Sequence, residues 1–195
     1  MADSRERLIL AARRLFHEQG FAATGVATIL REAGVNSGSL YHHFPSKQAL
    51  LEAVLDHYLE QLRPEVINPV EEETADPVER IFALIAGYRH AVMMTEFSFG
   101  CPIGNLALEV GGTPGSATDK IAQNFAAWRY VVEGWIAQAA DSFATPVDEK
   151  ALSALVLSVM EGAVMQARTA KSIDPFDETV CAFRGYFDLL RARGT

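Results

Sequence analysis

Covalent cross-links are scarce in this sequence of 195 residues, which has two cysteines, Cys101 and Cys181, eighty positions apart. That spacing argues against a disulfide framework and against a cysteine zinc site, and free thiols suit a reducing compartment. Long apolar runs are missing too. The longest hydrophobic pattern, Ala151 to Ala167, is interrupted by Ser153, Ser158, Glu161 and Gln166, so no membrane span is expected. The start, Met1-Ala2-Asp3-Ser4-Arg5-Glu6, shows neither a basic leader nor an apolar stretch before a cleavage site. A cytoplasmic chain is expected. Catalytic signatures are equally sparse: there is no serine nucleophile elbow, phosphate loop, paired metal-ligand motif or glycine-rich dinucleotide turn, and Gly111, Gly112 and Gly115 follow no strand pattern. Neither an enzyme nor a cofactor is implied.

Positive charge is in short supply: 17 Lys and Arg face 25 Asp and Glu, a formal net charge of −8. The deficit is uneven. Residues 1–47 carry six Lys/Arg against four Asp/Glu (net plus 2), and the remainder eleven against twenty-one (net minus 10). Phosphate would repel the acidic remainder, so any nucleic-acid contact must come from the first 47 residues. This predicts a head at 1–47 and a body at 48–195. Hydrophobic residues make up 49%, enough for a substantial core and against disorder.

What is present reads as helix throughout, with no alternating strand pattern and no repeat. Asp3 with Glu6 resembles a capping box ahead of Leu8, Ala11, Ala12, Leu15 and Phe16 at helical spacing, and Gly20 closes this helix. A short helix covers Val26 to Glu32, a third follows Gly34, and a fourth starts at Ser46 and ends or kinks at Pro64. Pro64, Pro69 and Glu71-Glu72-Glu73 read as a connecting loop. Asp76-Pro77-Val78-Glu79 opens a helix to about Ser98. Further helices are predicted at Ile103 to Val110, Ser116 to Phe143, Pro146 to about Ala170 and Asp174 to about Arg193. The fold class is all-α, with a three-helix head, a larger body and about nine helices.

The run Gly34 to Lys47, G-V-N-S-G-S-L-Y-H-H-F-P-S-K, has the form of the second half of a helix-turn-helix. Gly34 allows the left-handed turn, Asn36 or Ser37 offers a cap oxygen, and Phe44-Pro45 stops the helix after about two turns. Two turns are unstable alone, so Leu40 and Phe44 must pack inward, leaving Ser37, Gly38, Ser39, Tyr41, His42 and His43 free. Short polar groups and flat rings suit phosphates and base edges in a major groove. Tyr41 and Lys47 are predicted phosphate contacts, Ser37, Ser39 and His42 base-edge or backbone contacts, and Thr24 a phosphate ligand beside the second helix. Gly38 lies on the same face. Adjacent histidines on a helix point about 100° apart, so they do not share a metal ion.

The segments Phe21-Ala22-Ala23-Thr24, Val26, Ile29, Ala33-Gly34-Val35 and Gly38 to Leu51 resemble the TetR family of repressors over residues of about 4 to 55. The resemblance implies an all-helical homodimer with a DNA-binding head and a ligand-binding, dimer-forming body, whose partners are double-stranded DNA and a small effector. Gly25 stands where the family usually has Thr or Ser, and Ser37 where Lys or Arg is common. The segment from Phe99 to Glu109 resembles a drug-responsive subgroup, the LmrA-like repressors.

In the body, Met93, Phe97, Cys101, Asn105, Phe125, Trp128, Met160 and Met165 are the candidate ligand-binding residues, flexible and flat side chains suited to a hydrophobic guest. Individually each also reads as core. Gln123, Asn124, Arg129 and Gln166 would supply polar contacts. The last two helices carry Leu152, Leu155, Val159 and Ala163, then Val180, Phe183, Phe187 and Leu190. These serve either ordinary packing or the four-helix dimer interface the resemblance implies. Cys101 at a helix start reads as structural, pocket-lining or a redox sensor. A DNA-bound adaptor without a small ligand, and a helical enzyme, are the rival functions.

Overall fold

The computed structural model describes residues 3–191, and among these the chain is helical with no strand. The helices are α1 (Ser4–Gln19), α2 (Val26–Ala33), α3 (Ser37–His43), α4 (Lys47–Gln61), α5 (Asn68–Glu73), α6 (Pro77–Met94), α7 (Pro102–Val110), α8 (Ser116–Gln138), α9 (Glu149–Ala170) and α10 (Asp174–Arg191). A π-helical turn covers Leu62–Ile67 and a 3-10 turn Ala140–Ser142. Packing divides the chain into two compact units: residues 1–61 with 102–125, and residues 62–101 with 126–195. The division at residue 47 drawn from charge therefore does not coincide with a packing boundary. α4 buries Leu50, Leu51, Val54 and Leu55 in the first unit, and α7 and the start of α8 belong there too.

In the first unit, Asp3 accepts the N–H of Glu6 at 2.8 Å and starts α1, whose Leu8, Ile9, Leu15 and Phe16 are buried. Three long-range contacts fasten α8 to α4. Ser116 bonds to the Glu52 carboxylate, Lys120 Nζ lies 2.5 Å from Asp56, and buried Asn124 donates to the Leu55 carbonyl at 3.0 Å. Asn124 is thus a structural link, not the ligand contact predicted.

The second unit corrects the sequence in one stretch. Residues 64–73, predicted as a loop, are helical. Pro64 has no N–H for the usual bond to the fourth residue back, and the wider π winding accommodates it; Pro69 sits in the first turn of α5, where that donor is unneeded. Leu62, Ile67 and Val70 are buried. Glu71 is no solvated loop acid either: it accepts Trp135 Nε1 at 3.0 Å and Arg63 at 3.1 Å. α6 starts on the predicted Asp76 cap but ends at Met94, before Ser98, because Glu96 and Phe97 take positive φ.

Bidentate pairs of Arg184 with Glu79 and Arg89 with Asp177, and one Arg191 nitrogen shared between the two Asp76 carboxylate oxygens, join α10 to the α6 region. Phe82, Phe143, Phe183 and Phe187 form an aromatic cluster with centroids 5.2 to 6.4 Å apart. Of the eight predicted interface residues, Leu152, Ala163, Phe183 and Phe187 are buried within this unit, so they belong to its core rather than to an outer face. Leu155 is exposed, and Val159, Val180 and Leu190 are half-buried. Tyr186 and Leu189 lie on the outside of α10. α9 does reach the length and mean hydropathy of a membrane-crossing helix, against expectation, but its inner face is core.

Candidate nucleic-acid interface

The turn into α3 is built by local chemistry. Gly34 adopts φ 64°, ψ 39°, its N–H reaching the Arg31 carbonyl while that of Val35 reaches Leu30. Asn36, the first of the two predicted caps, accepts the N–H of Ser39 at 2.8 Å. A Cβ on Gly38 would lie 3.3 Å from the Asn36 cap oxygen, so glycine leaves the cap undisturbed. Phe44 is extended, and Ser46 accepts the N–H of Ala49 at 3.1 Å to start α4.

Leu40 and Phe44 are buried, as their role as supports requires. Outward, Tyr41 is 57% exposed, Ser37, Gly38 and His42 are exposed, and Ser39 is half-buried. His43 points elsewhere, its Nε2 2.8 Å from Ser4 Oγ. Six of the predicted DNA contacts therefore lie at α3 and the start of α4. Lys47 is folded back, its Nζ 4.3 Å from the centre of the Phe21 ring and 3.5 Å from the Ala22 carbonyl. Partial burial lowers its pKa below the ordinary lysine value, with the Glu109 charge pulling the other way.

Thr24 is corrected. It is 0% exposed, and its Oγ1 lies 2.6 Å from the Gly20 carbonyl and 3.2 Å from that of Leu15. The hydroxyl secures the carbonyls that end α1 and is turned away from any phosphate. Glu109 was missed by sequence reasoning. Its carboxylate accepts the N–H groups of Phe21 at 2.8 Å and Ala22 at 2.5 Å, across more than eighty residues. No local pattern announces such a partner. Arg14 is held by Glu18 and Glu32.

The candidate ligand residues separate. Cys101, Trp128 and Met160 are buried. Tyr88 connects the first two: its hydroxyl is 3.7 Å from Cys101 Sγ and its ring 5.8 Å from that of Trp128. The Cys101 thiol also bonds to the Glu161 carboxylate, whose pKa is raised by burial and only partly restored by the thiol. Cys181 is exposed, and neither Cys101 nor Cys181 forms a disulfide. Met93 and Met165 are 45% and 56% exposed. Phe97 sits in the turn after α6, while Asn105 and Phe125 belong to the first unit. Arg129 donates to the Lys150 carbonyl, and Gln123 and Gln166 are exposed.

A capped two-turn helix, supported from behind and polar in front, following a glycine turn after another short helix, defines a helix-turn-helix DNA-binding regulator. Comparison with known proteins agrees along the chain. Residues 8–54 match the family described as bacterial regulatory proteins, tetR family, and residues 77–183 match the tetracyclin repressor-like C-terminal domain. The HTH-type transcriptional regulator LmrA of Bacillus subtilis is 33% identical over 175 residues, 89% of this chain and 90% of its own. An uncharacterised HTH-type regulator of Mycobacterium tuberculosis is 32% identical over 183 residues, covering 91% and 90%. A regulatory protein TetR of Rhodobacter sphaeroides shares the fold at TM-score 0.82 and 24% identity, covering 92% and 96%. The chain belongs to the TetR family of transcriptional regulators, and it is not an enzyme.

Proposed function

We propose that this regulator is a repressor that binds a near-palindromic operator as a homodimer and releases it when a hydrophobic small molecule occupies the body. The observation that carries the reading is the outward face of α3, where Ser37, Gly38, Ser39, Tyr41 and His42 stand together with Lys47 beside them. Two such helices in successive major grooves need a spacing of roughly 34 Å. Dimerisation through the outer faces of α9 and α10 supplies the second copy. An effector releases DNA only by binding the DNA-incompetent arrangement more tightly, and a few kcal/mol of difference lowers occupancy by tens to hundreds of fold. Phosphate contacts make the affinity fall steeply with salt.

Selection from a pool of random duplexes tests this. The expected consensus is a near-palindrome with half-sites one or two helical turns apart. Tyr41→Ala should weaken binding to it roughly ten-fold or more while leaving the dimer intact. Recovery of no consensus, or unchanged affinity of the variant, would overturn the assigned docking face.

A further inference from the structure

The outward face of α3 lacks the charge that holds DNA. Its seven residues include no Lys or Arg, although neutralising phosphates with such cations supplies essentially all of sequence-independent binding and a large share of the rest. The cations must therefore stand beside the helix. Residues 1–47 offer six, and four of these are occupied. Arg13 lies over the Tyr58 ring at 4.9 Å and reaches His57, and Arg14 pairs with Glu18 and Glu32. Arg7 donates to the Gly34 carbonyl at 3.4 Å, and Lys47 is folded onto Phe21. Arg5 and Arg31 are exposed, and among the described residues neither meets a carboxylate or a carbonyl acceptor.

These two arginines stand at opposite ends of α3. Arg5 is in the first turn of α1, which is tied to the C-terminal end of α3: Ser4 Oγ is 2.8 Å from His43 Nε2, and the Arg5 guanidinium carbon lies 5.5 Å from the centre of the Phe44 ring. Arg31 is in the last turn of α2, and its carbonyl accepts the N–H of Gly34, the residue that turns the chain toward α3. Seven helical residues span about 10 Å, and the major groove is about 12 Å wide. A cation just beyond each end of such a helix is thus within an arginine's reach of the phosphates that border the groove. We infer that Arg5 and Arg31 form a phosphate clamp, one guanidinium at each end of α3. Phosphate contacts carry no sequence information but fix register and orientation, so the clamp sets how α3 lies while Ser37, Ser39, Tyr41 and His42 face the bases. The inference rests on the docking face proposed above and supplies its charge.

The salt dependence of binding tests this with the full chain. Titrated on a random-sequence duplex of about 20 base pairs between about 50 and 200 mM salt, Arg5→Ala and Arg31→Ala should each lower the slope of log affinity against log salt by about 0.9 in magnitude, and the double variant by about 1.8. Both side chains are exposed, so Tm should stay at the parent's value. Arg5→Lys and Arg31→Lys keep the charge and should keep the slope. Arg14→Ala removes the same charge from the head yet should leave the slope unchanged, since Glu18 and Glu32 already hold that guanidinium. A parental slope in either alanine variant, or a lysine variant with the alanine slope, would overturn the clamp. Tyr41→Ala on the selected operator separates this failure from that of the docking face. If it weakens binding while both arginines prove dispensable, the face stands and the clamp falls. If all three alanine variants bind as the parent does, the face itself is misplaced.

Discussion

The Glu109 carboxylate of α7 accepts the backbone N–H of Phe21 at 2.8 Å, holding the turn between α1 and α2 from 88 residues away. A second bond reaches Ala22, and the Lys47 side chain lies over the ring of Phe21. One carboxylate thus fixes the entrance to the helix-turn-helix. Glu109→Ala leaves two amides without their acceptor. Because Glu109 is exposed, water replaces much of the loss, and the cost to stability should be only about 1 kcal/mol. DNA binding should suffer more than folding, since the turn carrying α2 is no longer held. Circular dichroism melts and operator titrations of one preparation measure both, and a variant equal to the parent in operator affinity would show that the contact does not position the head.

Thr24 makes a contrasting prediction. Its buried hydroxyl serves the carbonyls of Gly20 and Leu15, so Thr24→Val should destabilise the first unit by about 1–3 kcal/mol by leaving buried acceptors unpaired. Thr24→Ser restores the hydroxyl and should recover most of this. Were Thr24 a phosphate ligand, both variants would fold normally and only Thr24→Val would lose DNA affinity. Denaturant unfolding of the two variants decides.

These two residues mark where sequence reading stops. The limits of α3 were legible because every signal is local: Gly34 turns, Asn36 caps, and Pro45 stops the helix at Phe44. Thr24 sits in an equally plain motif, yet its direction depends on the carbonyls that α1 leaves at its end, a tertiary fact. Glu109 depends on a contact between distant segments and has no signature in its neighbours. Residues 64–73 misled in the other direction. Two prolines and four acids have loop composition, but Ile67 and Val70 are buried and Trp135 holds Glu71. For α9 and α10, apolar residues surround much of each helix, so periodicity alone did not separate the inner from the outer face.

Glu161 links the buried cluster to pH. Burial raises its carboxyl above the ordinary glutamate value of about 4.3, despite the bond from Cys101. A group whose folded pKa is raised binds its proton more tightly when folded, so stability falls as pH rises from the unfolded value through the folded one. At neutral pH the charged form therefore costs stability. Glu161→Gln keeps an acceptor for the thiol and removes that charge, so its Tm should exceed the parent's at pH 7.5. Each kcal/mol gained moves Tm by roughly 2–4 °C in a chain of this size. Near pH 4 the difference should vanish. A gain that persists unchanged at pH 4 would trace to packing instead.

The outer faces of α9 and α10 carry the last prediction. Leu155, Val159 and Gly162 follow one another along α9, while Ala182, Gly185, Tyr186 and Leu189 lie along α10. Leu189 is 74% exposed, and a Cβ on Gly162 or Gly185 would meet nothing within 4 Å. An apolar surface with small residues at its centre allows close approach of a second copy. A charge buried there without a partner is strongly unfavourable, so Leu189→Asp should raise the dimer dissociation constant at least ten-fold, about 1.4 kcal/mol or more. Leu108→Asp replaces an exposed leucine of α7 and serves as the control that should not alter assembly. Sedimentation across a concentration series reads the difference directly. The monomeric variant should also lose affinity for a palindromic site while keeping weak binding to a half-site, because each head remains folded and only the pairing of heads is removed. If Leu189→Asp sediments as the parent does, this face does not pair two copies.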